Sequence, residues 1–254
     1  MIHYKKQKDI DGLRESGKIL VLVLLTLKEL AKEGIALEEL NKKAIEMLQR
    51  AGATPAFLNY QPEGAKKPFP AAICASLNEQ IVHGIPDKRI LKNGDVLKID
   101  FGVVYKNYIT DAALTLGIGK ISEEAQNLIN TTKEALNQAI ETAKLPNTKL
   151  GDIGWVIEHT AEKNGLSVVN ELTGHGVGFK LHEDPTVYNY GEKGTGITLK
   201  SGLVIAIEPM ISIGSPLIVQ NEDDSFSTKD GSLSAHFEKT IAVTENGIEV
   251  LTPF

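Results

Sequence analysis

Four segments of the chain place apolar residues three or four positions apart, the spacing at which side chains share one face of an α-helix. This pattern predicts helices over Gln7–Lys32, Leu37–Ala51, Ser122–Ala143 and Leu150–Lys163. Glycines stand just beyond the first two, at Gly34 and Gly52, where glycine commonly ends a helix.

Other segments are rich in β-branched and aromatic residues and indicate strands. They are Ala71–Val82, Val96–Val104, Tyr108–Leu116, Val204–Ile213, Leu217–Gln220 and His236–Val243. A stretch rich in proline and glycine, Pro62–Pro70, precedes the first strand and is expected to be a loop.

Parts of the sequence repeat in the same order. Leu91–Asp100 aligns without a gap with Leu199–Glu208, 108 positions later, and each copy ends in a carboxylate. His83–Ile85 similarly matches His175–Val177. Two related halves, each with helices, a His-Gly pair and then paired strands, explain this order, and we expect them to meet about a pseudo-twofold axis.

The composition is that of a globular protein without a nucleic-acid or membrane partner. The 254 residues are 42% apolar and 24% charged, with a net charge of −6, which excludes collagen-like and disordered chains. Lysine and glutamate are interspersed, so no basic face is available for phosphate groups. The most apolar stretch, Ile19–Leu27, has nine residues, against roughly 20 in a membrane-spanning helix.

The single cysteine, Cys74, cannot form an intrachain disulfide. A reducing, cytoplasmic setting is therefore expected. Nothing in the sequence requires a partner subunit, so we expect a monomer.

Two aspartates lie on predicted strands that a short loop joins. A two-residue hairpin loop at Lys106 and Asn107 would place Asp111 opposite Gly102, on the same side of the sheet as Asp100. A three-residue loop would place the aspartates on opposite sides. In the first case, repulsion and desolvation would force one carboxylate to take up a proton, and a bound cation would remove that conflict.

The second half of the chain contains matching polar residues, Glu208, Glu238 and His175. Each alone has a simpler interpretation, since a carboxylate could be a solvated strand end and the histidine a turn residue. The repeat favours a common site, because it places Asp100 and Glu208 at equivalent strand ends. Glycines on both sides of His175 would add the flexibility that brings its side chain close to a site.

Four carboxylates and one imidazole, with no thiolate, suit divalent Mn, Fe, Co or Zn. Two ions that share bridging carboxylates fit this ligand count better than one. Two ions about 3.5–4 Å apart lower the pKa of a bridging water and polarise a carbonyl, as metal-assisted hydrolysis requires. We interpret His3, His159 and His236 as structural or surface residues. His236 is two residues before Glu238, however, so a continuous strand would place both side chains on the same face.

Five stretches carry a resemblance to a known family. They are Asn78–Pro86, Ile99–Val103 followed by Asp111, Gly174–Gly178 with His182–Pro185, Ile207–Met210, and Ser234–Thr240. In this order, and over nearly the whole chain, they resemble the type I methionine aminopeptidases. The resemblance implies an α+β fold of the pita-bread type, with an antiparallel sheet backed by helices. It also implies a single catalytic domain over residues 1–254, with half-repeats at about 1–120 and 121–254.

The same resemblance implies a set of ligands for two divalent metal ions: Asp100, Asp111, His175, Glu208 and Glu238. Asp111 and Glu238 would bridge the ions. Asp100 would bind one ion only, and His175 and Glu208 would complete the other.

Catalytic roles also follow from the resemblance. His83 would contact the scissile amide and assist proton transfer, and His182 would stabilise the oxygen of the tetrahedral intermediate. Glu208 would help to deprotonate the attacking water, which bridges the metals and attacks the scissile carbonyl. A neutral imidazole can donate to a developing oxyanion without competing for the metals.

The implied substrate is a nascent polypeptide with a free N-terminal methionine and a small second residue. An apolar pocket for the methionine would be lined by Tyr60, Cys74 and Leu181, with Phe57 near its rim.

The sequence departs from the family pattern at several positions. Ala112 replaces the usual hydroxyl residue, Leu181 stands where an aromatic residue is common, and Asp224 falls near a position that is often aromatic. The Pro62–Pro70 loop is longer than in compact members. We expect these changes to affect the fit of the pocket and the metal affinity more than the reaction type.

Two alternatives remain at this point. A metal-dependent X-Pro aminopeptidase of the same fold would share the metal motif, but those relatives have a substantial additional N-terminal domain. A non-catalytic binding protein of this fold would have lost metal ligands, whereas all five are present here.

Overall fold

The computed structural model describes residues 1–61 and 66–254. Residues 62–65, which belong to the predicted Pro62–Pro70 loop, lie outside the described residues; the rest of that segment forms neither helix nor strand. All four predicted helices are confirmed. They are α1 (Gln7–Leu30), α2 (Leu37–Arg50), α3 (Glu123–Ala143) and α4 (Leu150–Lys163).

The strands are more numerous and shorter than the sequence suggests. In chain order they are β1 (Thr54–Pro55), β2 (Cys74–Leu77), β3 (Gln80–Val82), β4 (Val96–Tyr105), β5 (Tyr108–Gly117), β6 (Ser167–Val168), β7 (Gly174–Gly176), β8 (Glu183–Val187), β9 (Val204–Ile207), β10 (Met210–Ser212), β11 (Ile218–Gln220), β12 (Phe226–Thr228), β13 (Ser234–His236), β14 (Glu238–Thr244) and β15 (Gly247–Val250).

Among the described residues the strands form one large antiparallel sheet and two small ones. The order of the large sheet is β1-β4-β5-β14-β9-β7-β8, with β2 also paired to β4 and β15 to β14. The small sheets have the orders β13-β10-β6 and β11-β12-β3. Strand β14 therefore lies between β5 of the first half and β9 of the second.

The hairpin of β4 and β5 has the register of the two-residue loop. Tyr105 pairs with Tyr108, and Gly102 pairs with Asp111. Lys106 and Asn107 have φ angles of 49° and 67°, as the two central residues of a type I′ turn require. The two predicted strands are thus confirmed.

Two predicted strands are each divided in the structure. Asn78, with a φ of 53°, separates β2 from β3 inside the predicted Ala71–Val82. Glu208 and Pro209 separate β9 from β10 inside the predicted Val204–Ile213. Both predictions were therefore wrong in treating each segment as one continuous strand.

The predicted strand His236–Val243 is also interrupted, at Phe237, between β13 and β14. The Phe237 backbone N–H donates to the Pro209 carbonyl at 3.3 Å and so leaves the strand ladder. Strands β1, β6, β7, β8, β12 and β15 were not predicted, because segments of two to five residues are too short for an alternating pattern.

The core lies between the helices and the large sheet. Helix α1 packs on β4 and β5, and its Leu20, Leu24 and Leu27 are fully buried there. A polar contact crosses the same interface, where the Ser16 hydroxyl bonds to the Val103 carbonyl at 2.9 Å. None of the described helices is both long enough and apolar enough to cross a membrane.

Equivalent hydrogen bonds occur in the two halves. The Leu37 N–H at the start of α2 donates to the Arg89 carbonyl at 3.0 Å, and the Leu150 N–H at the start of α4 donates to the Ile197 carbonyl at 2.9 Å. The two acceptors are separated by the offset of the sequence repeat. In each half, the start of a helix is therefore bonded in the same way to the segment that precedes a strand, β4 in the first half and β9 in the second.

Candidate active site

The residues that sequence analysis singled out line a single cavity of about 1050 Å³. They are Phe57, Tyr60, Cys74, His83, Asp100, Asp111, His175, Leu181, His182, Glu208 and Glu238. The structure therefore brings every predicted site residue to one place.

Strand pairing explains why the carboxylates meet. Ala113 on β5 pairs with Asp100 on β4 and with Glu238 on β14, so both carboxylates lie beside one residue. Asp111 lies two residues before Ala113 on β5, so the two side chains point to the same face of the sheet. Glu208 follows β9, which pairs with the other edge of β14. The two halves thus meet at β5, β14 and β9.

His175 reaches the site from β7, where it pairs with Ala206 of β9. A Cβ at Gly174 would lie 2.5 Å from the Ala206 carbonyl oxygen, and a Cβ at Gly176 would lie 2.2 Å from the Asp184 carbonyl oxygen. Neither glycine has a positive φ. The glycines are therefore required for close strand packing, and the expectation that they add flexibility stays a prediction.

Two groups of donor atoms are close enough to hold metal ions. One ligand atom from each of Asp111, His175 and Glu238 lies within 4.8 Å of the others, and the same holds for Glu208, His236 and Glu238. Glu238 belongs to both groups. Asp100 is in neither group, although it lies in the same cavity.

Burial raises the pKa of all four carboxyl groups. It raises the pKa of Asp111 to about 7, and it raises the pKa values of Asp100 and Glu208 well above normal, with the Asp111 charge adding to both. The pKa of Glu238 is raised in the same way. Four carboxyl groups that resist ionisation together form a site where positive charge is favoured.

Several buried polar atoms of the site have no hydrogen-bond partner among the described residues. They include Asp100 Oδ1, Glu238 Oε1 and both ring nitrogens of His236. Such atoms are rare in native structures and indicate a position where a water or an ion binds. Buried oxygens and neutral imidazole nitrogens are ligands for divalent ions, so the residues fit a divalent metal centre.

The histidines of the cavity are held neutral. Burial lowers the pKa of His175 to about 4 and that of His182 to about 3, with the neighbouring histidines adding to the effect on His182. Burial also lowers the pKa of His83. At neutral pH each ring therefore has one N–H donor and one acceptor nitrogen.

His182 is oriented by an aromatic neighbour. Its Nδ1 lies 2.8 Å from the Tyr60 hydroxyl, and its ring meets the His175 ring edge to face at 4.4 Å between centroids. The hydroxyl contact fixes the orientation of the imidazole.

The backbone around Asp111 is held by hydroxyl and amide groups. The Thr240 hydroxyl bonds to the Asp111 carbonyl at 2.7 Å and accepts from its N–H at 3.0 Å. The Ala112 N–H donates to Asp111 Oδ1 at 3.0 Å. The backbone of Ala112 therefore supports the carboxylate at the position where the side chain carries no hydroxyl.

The apolar wall packs around one glycine. A Cβ at Gly102 would lie 3.3 Å from Leu181 Cδ1 and from Phe57 Cε1, so both pocket residues lie directly on β4. Cys74 pairs with Asp100 across β2 and β4, and burial raises the pKa of its thiol. The thiol is thus a neutral part of the wall.

A charged contact lies at the rim. The Lys66 N–H donates to Asp224 Oδ2 at 3.1 Å, and both residues line the cavity. Asp224, which falls near a position that is often aromatic in the family, therefore binds the backbone of Lys66.

Sequence analysis gave no role to two buried residues, His236 beside Glu208 and Lys98 on β4. His236 is 1% exposed, and its Nε2 lies 3.4 Å from Glu208 Oε2. Lys98 is also 1% exposed and donates to the Asn78 carbonyl at 2.6 Å and the Ser234 carbonyl at 3.2 Å. His236 lies two residues before Glu238, and Lys98 lies two residues before Asp100. Side chains two positions apart in a strand point to the same face, and this spacing was the available sequence signal for both residues.

Comparison with known proteins agrees with this geometry. Residues 11–245 match metallopeptidase family M24. The chain is 45% identical over 254 residues to a methionine aminopeptidase of Clostridium perfringens (strain 13 / Type A), with 99% of each chain covered.

Solved structures agree as well. The crystal structure of methionine aminopeptidase from Thermotoga maritima is similar with a TM-score of 0.94 and 39% identity, and 100% of both chains is covered. The prolidase from Pyrococcus furiosus has a TM-score of 0.78 and 23% identity, with 99% of this chain and 65% of that chain covered. The second likeness shows the fold alone. Together they confirm the expected α+β fold of the pita-bread type.

Proposed function

This chain belongs to metallopeptidase family M24, and we propose that it removes the N-terminal methionine from nascent polypeptides whose second residue is small. The observation that carries the proposal is the meeting of four buried carboxylates and neutral histidines in a cavity with an apolar wall. The 45% identity to a methionine aminopeptidase supports the choice of substrate.

In this proposal five residues would hold two divalent ions of Mn, Fe, Co or Zn: Asp100, Asp111, His175, Glu208 and Glu238. Asp111 and Glu238 would be shared between the ions, Asp100 would bind one of them, and His175 and Glu208 would bind the other. When bound, the ions would make a water more acidic and polarise the peptide carbonyl.

The side chains of the cavity divide the remaining work. Glu208 accepts a proton from the attacking water, a role that its raised pKa favours. The Tyr60 hydroxyl lies 2.8 Å from His182 Nδ1; with this hydroxyl as the donor, His182 would keep its proton on Nε2 and donate it to the developing oxyanion. His83 contacts the scissile amide and assists proton transfer to the leaving amine.

The methionine side chain occupies the apolar part of the cavity, beside Tyr60, Cys74, Leu181 and Phe57. Removal of these apolar surfaces from water favours a methionine-sized side chain over a polar one. We further propose that the chain acts as a cytoplasmic monomer, and that residues 1–254 form one catalytic domain of two half-repeats, at about 1–120 and 121–254. Nascent chains are its partners, and neither nucleic acid nor membrane is one.

The test is an anaerobic peptide assay on protein from which metals have been removed by a chelator. Mn(II), Fe(II), Co(II) and Zn(II) are added back singly, and peptides beginning Met-Gly, Met-Lys and Ala-Pro are compared. We expect release of methionine from Met-Gly alone, restored by metal and absent in the Asp111→Asn variant. Cleavage of Ala-Pro would instead indicate an X-Pro aminopeptidase. A folded protein that is inactive with every metal would indicate a binding protein.

A further inference from the structure

His236 lies in the site but is not among the five ligands of the proposed metal centre. Its Nε2 is 3.4 Å from Glu208 Oε2, and one ligand atom from each of His236, Glu208 and Glu238 lies within 4.8 Å of the other two. On the other side of the same carboxylate, His175 Nε2 is 3.4 Å from Glu208 Oε1. Glu208 therefore lies between two imidazole nitrogens.

The imidazole of His236 has no hydrogen-bond partner among the residues that the structure describes. The side chain is 1% exposed, and neither ring nitrogen makes a hydrogen bond to any described residue. The nearby Glu238 Oε1 is also without a partner. Because buried polar atoms without partners are costly, these atoms indicate a bound group that they share.

The backbone holds His236 in this position. Its N–H donates to the Thr115 hydroxyl at 2.9 Å, and the same hydroxyl donates to the His236 carbonyl at 2.6 Å. His236 also pairs with Met210 in the register of β10 and β13. The ring is thus directed at the carboxylates by three strands, β5, β10 and β13, and does not depend on a mobile loop.

We propose that His236 is an additional protein ligand, which donates a ring nitrogen to a divalent ion together with Glu208 and Glu238. The inference rests on the proposed metal centre and extends it. The metal position that His175 and Glu208 are proposed to share would then have a second imidazole. This favours Fe(II), Co(II) or Zn(II) over Mn(II), because imidazole suits the first three ions and carboxylates suit manganese.

The competing explanation is that His236 only donates a hydrogen bond to Glu208 and orients it. Glutamine separates the two roles, because its amide N–H can donate to the carboxylate while its neutral amide is a poor ligand for Co(II). The test therefore compares the wild type with His236→Gln. The matched control is His159→Gln, since His159 is exposed on α4 and stacks on Trp155 outside the cavity.

Metal-free proteins are titrated with Co(II) and, separately, with Mn(II) by calorimetry, and visible absorption of the Co(II) forms is recorded. In His236→Gln we expect one of the two Co(II) sites to lose affinity by roughly 10- to 100-fold. We also expect an altered Co(II) spectrum and a smaller loss of affinity for Mn(II). His159→Gln should match the wild type. Wild-type Co(II) affinities and spectrum in His236→Gln would overturn the inference.

A second measurement answers the same question without a substitution, in case His236→Gln does not fold. Wild-type protein labelled with ¹⁵N-histidine is loaded with Mn(II), and pulsed EPR counts the coupled imidazole nitrogens. Two are expected, from His175 and His236, and one alone would overturn the inference. Failure of the proposed function looks different, because the wild type itself would then bind no divalent metal.

Discussion

Protons and metal ions compete for the Asp111 carboxylate. This carboxyl group is 2% exposed, and burial raises its pKa to about 7. In the metal-free protein the group therefore keeps its proton below about pH 7 and loses it above. His175 behaves differently, because burial lowers its pKa to about 4 and its ring is already neutral in this range.

The first prediction follows from that difference. Metal affinity should fall as the pH is lowered through about 7, because the ion must displace protons from carboxyl groups whose pKa values are raised. Calorimetry in buffers of different ionisation enthalpy measures the protons released per ion. An affinity independent of pH between about 5.5 and 8, with no proton release, would contradict the role given to Asp111.

His182 allows a second prediction at the same scale. His182→Ala should lower kcat by roughly 10²- to 10³-fold, as for loss of an oxyanion donor, with both metals retained. Tyr60→Phe is the matched variant, since it removes only the hydroxyl that lies 2.8 Å from His182 Nδ1, and its loss should be smaller. Peptide kinetics and metal analysis provide the measurement, and an unchanged kcat in His182→Ala would argue against the assignment.

At the scale of elements, the hairpin of β4 and β5 decides whether the two aspartates share a face. The turn requires a positive φ at Lys106 and Asn107, with values of 49° and 67°. Asparagine tolerates this conformation well and β-branched residues do not. The turn thus fixes the pairing of Gly102 with Asp111, and a slip of one residue would turn Asp111 away from the site.

The third prediction concerns this turn. Asn107→Val should destabilise the protein by about 1–2 kcal/mol, because valine is strained at positive φ, whereas Asn107→Gly should change stability by only a few tenths of a kcal/mol. Urea unfolding of the two metal-free variants measures the difference. If both variants unfold at the wild-type midpoint, the turn does not control the register.

The elements also show how far the sequence predicts the structure. Local signals were sufficient for the four helices and for the hairpin, since periodicity and turn residues act over a few positions. They were insufficient for β7, because Gly174–Gly176 has no alternating pattern and is a strand only through its neighbours β8 and β9. The place of His236 depends on the pairing of β13 with β10 and on the interruption at Phe237, and local sequence shows neither.

At the scale of the whole molecule, each half contributes only part of the centre. Asp100 and Asp111 come from the first half of the chain, and His175, Glu208 and Glu238 come from the second. Strand β14 joins them, since it pairs with β5 on one side and β9 on the other. The proposed metals would therefore bind only when the two halves are folded together, and their binding free energy would stabilise that arrangement.

The last prediction is that metal raises the melting temperature through this coupling. A single ion at a free concentration of about 100 times its Kd adds about 2.7 kcal/mol, which corresponds to an increase in Tm of roughly 5–10 °C for a chain of this size. Relief of repulsion among the buried carboxylates acts in the same direction. Calorimetric scans with and without Co(II) measure the shift, and Asp111→Asn should reduce it, because that variant removes the carboxylate proposed to bridge the ions. An identical Tm in the wild type, at metal concentrations that saturate activity, would contradict a closely packed carboxylate site.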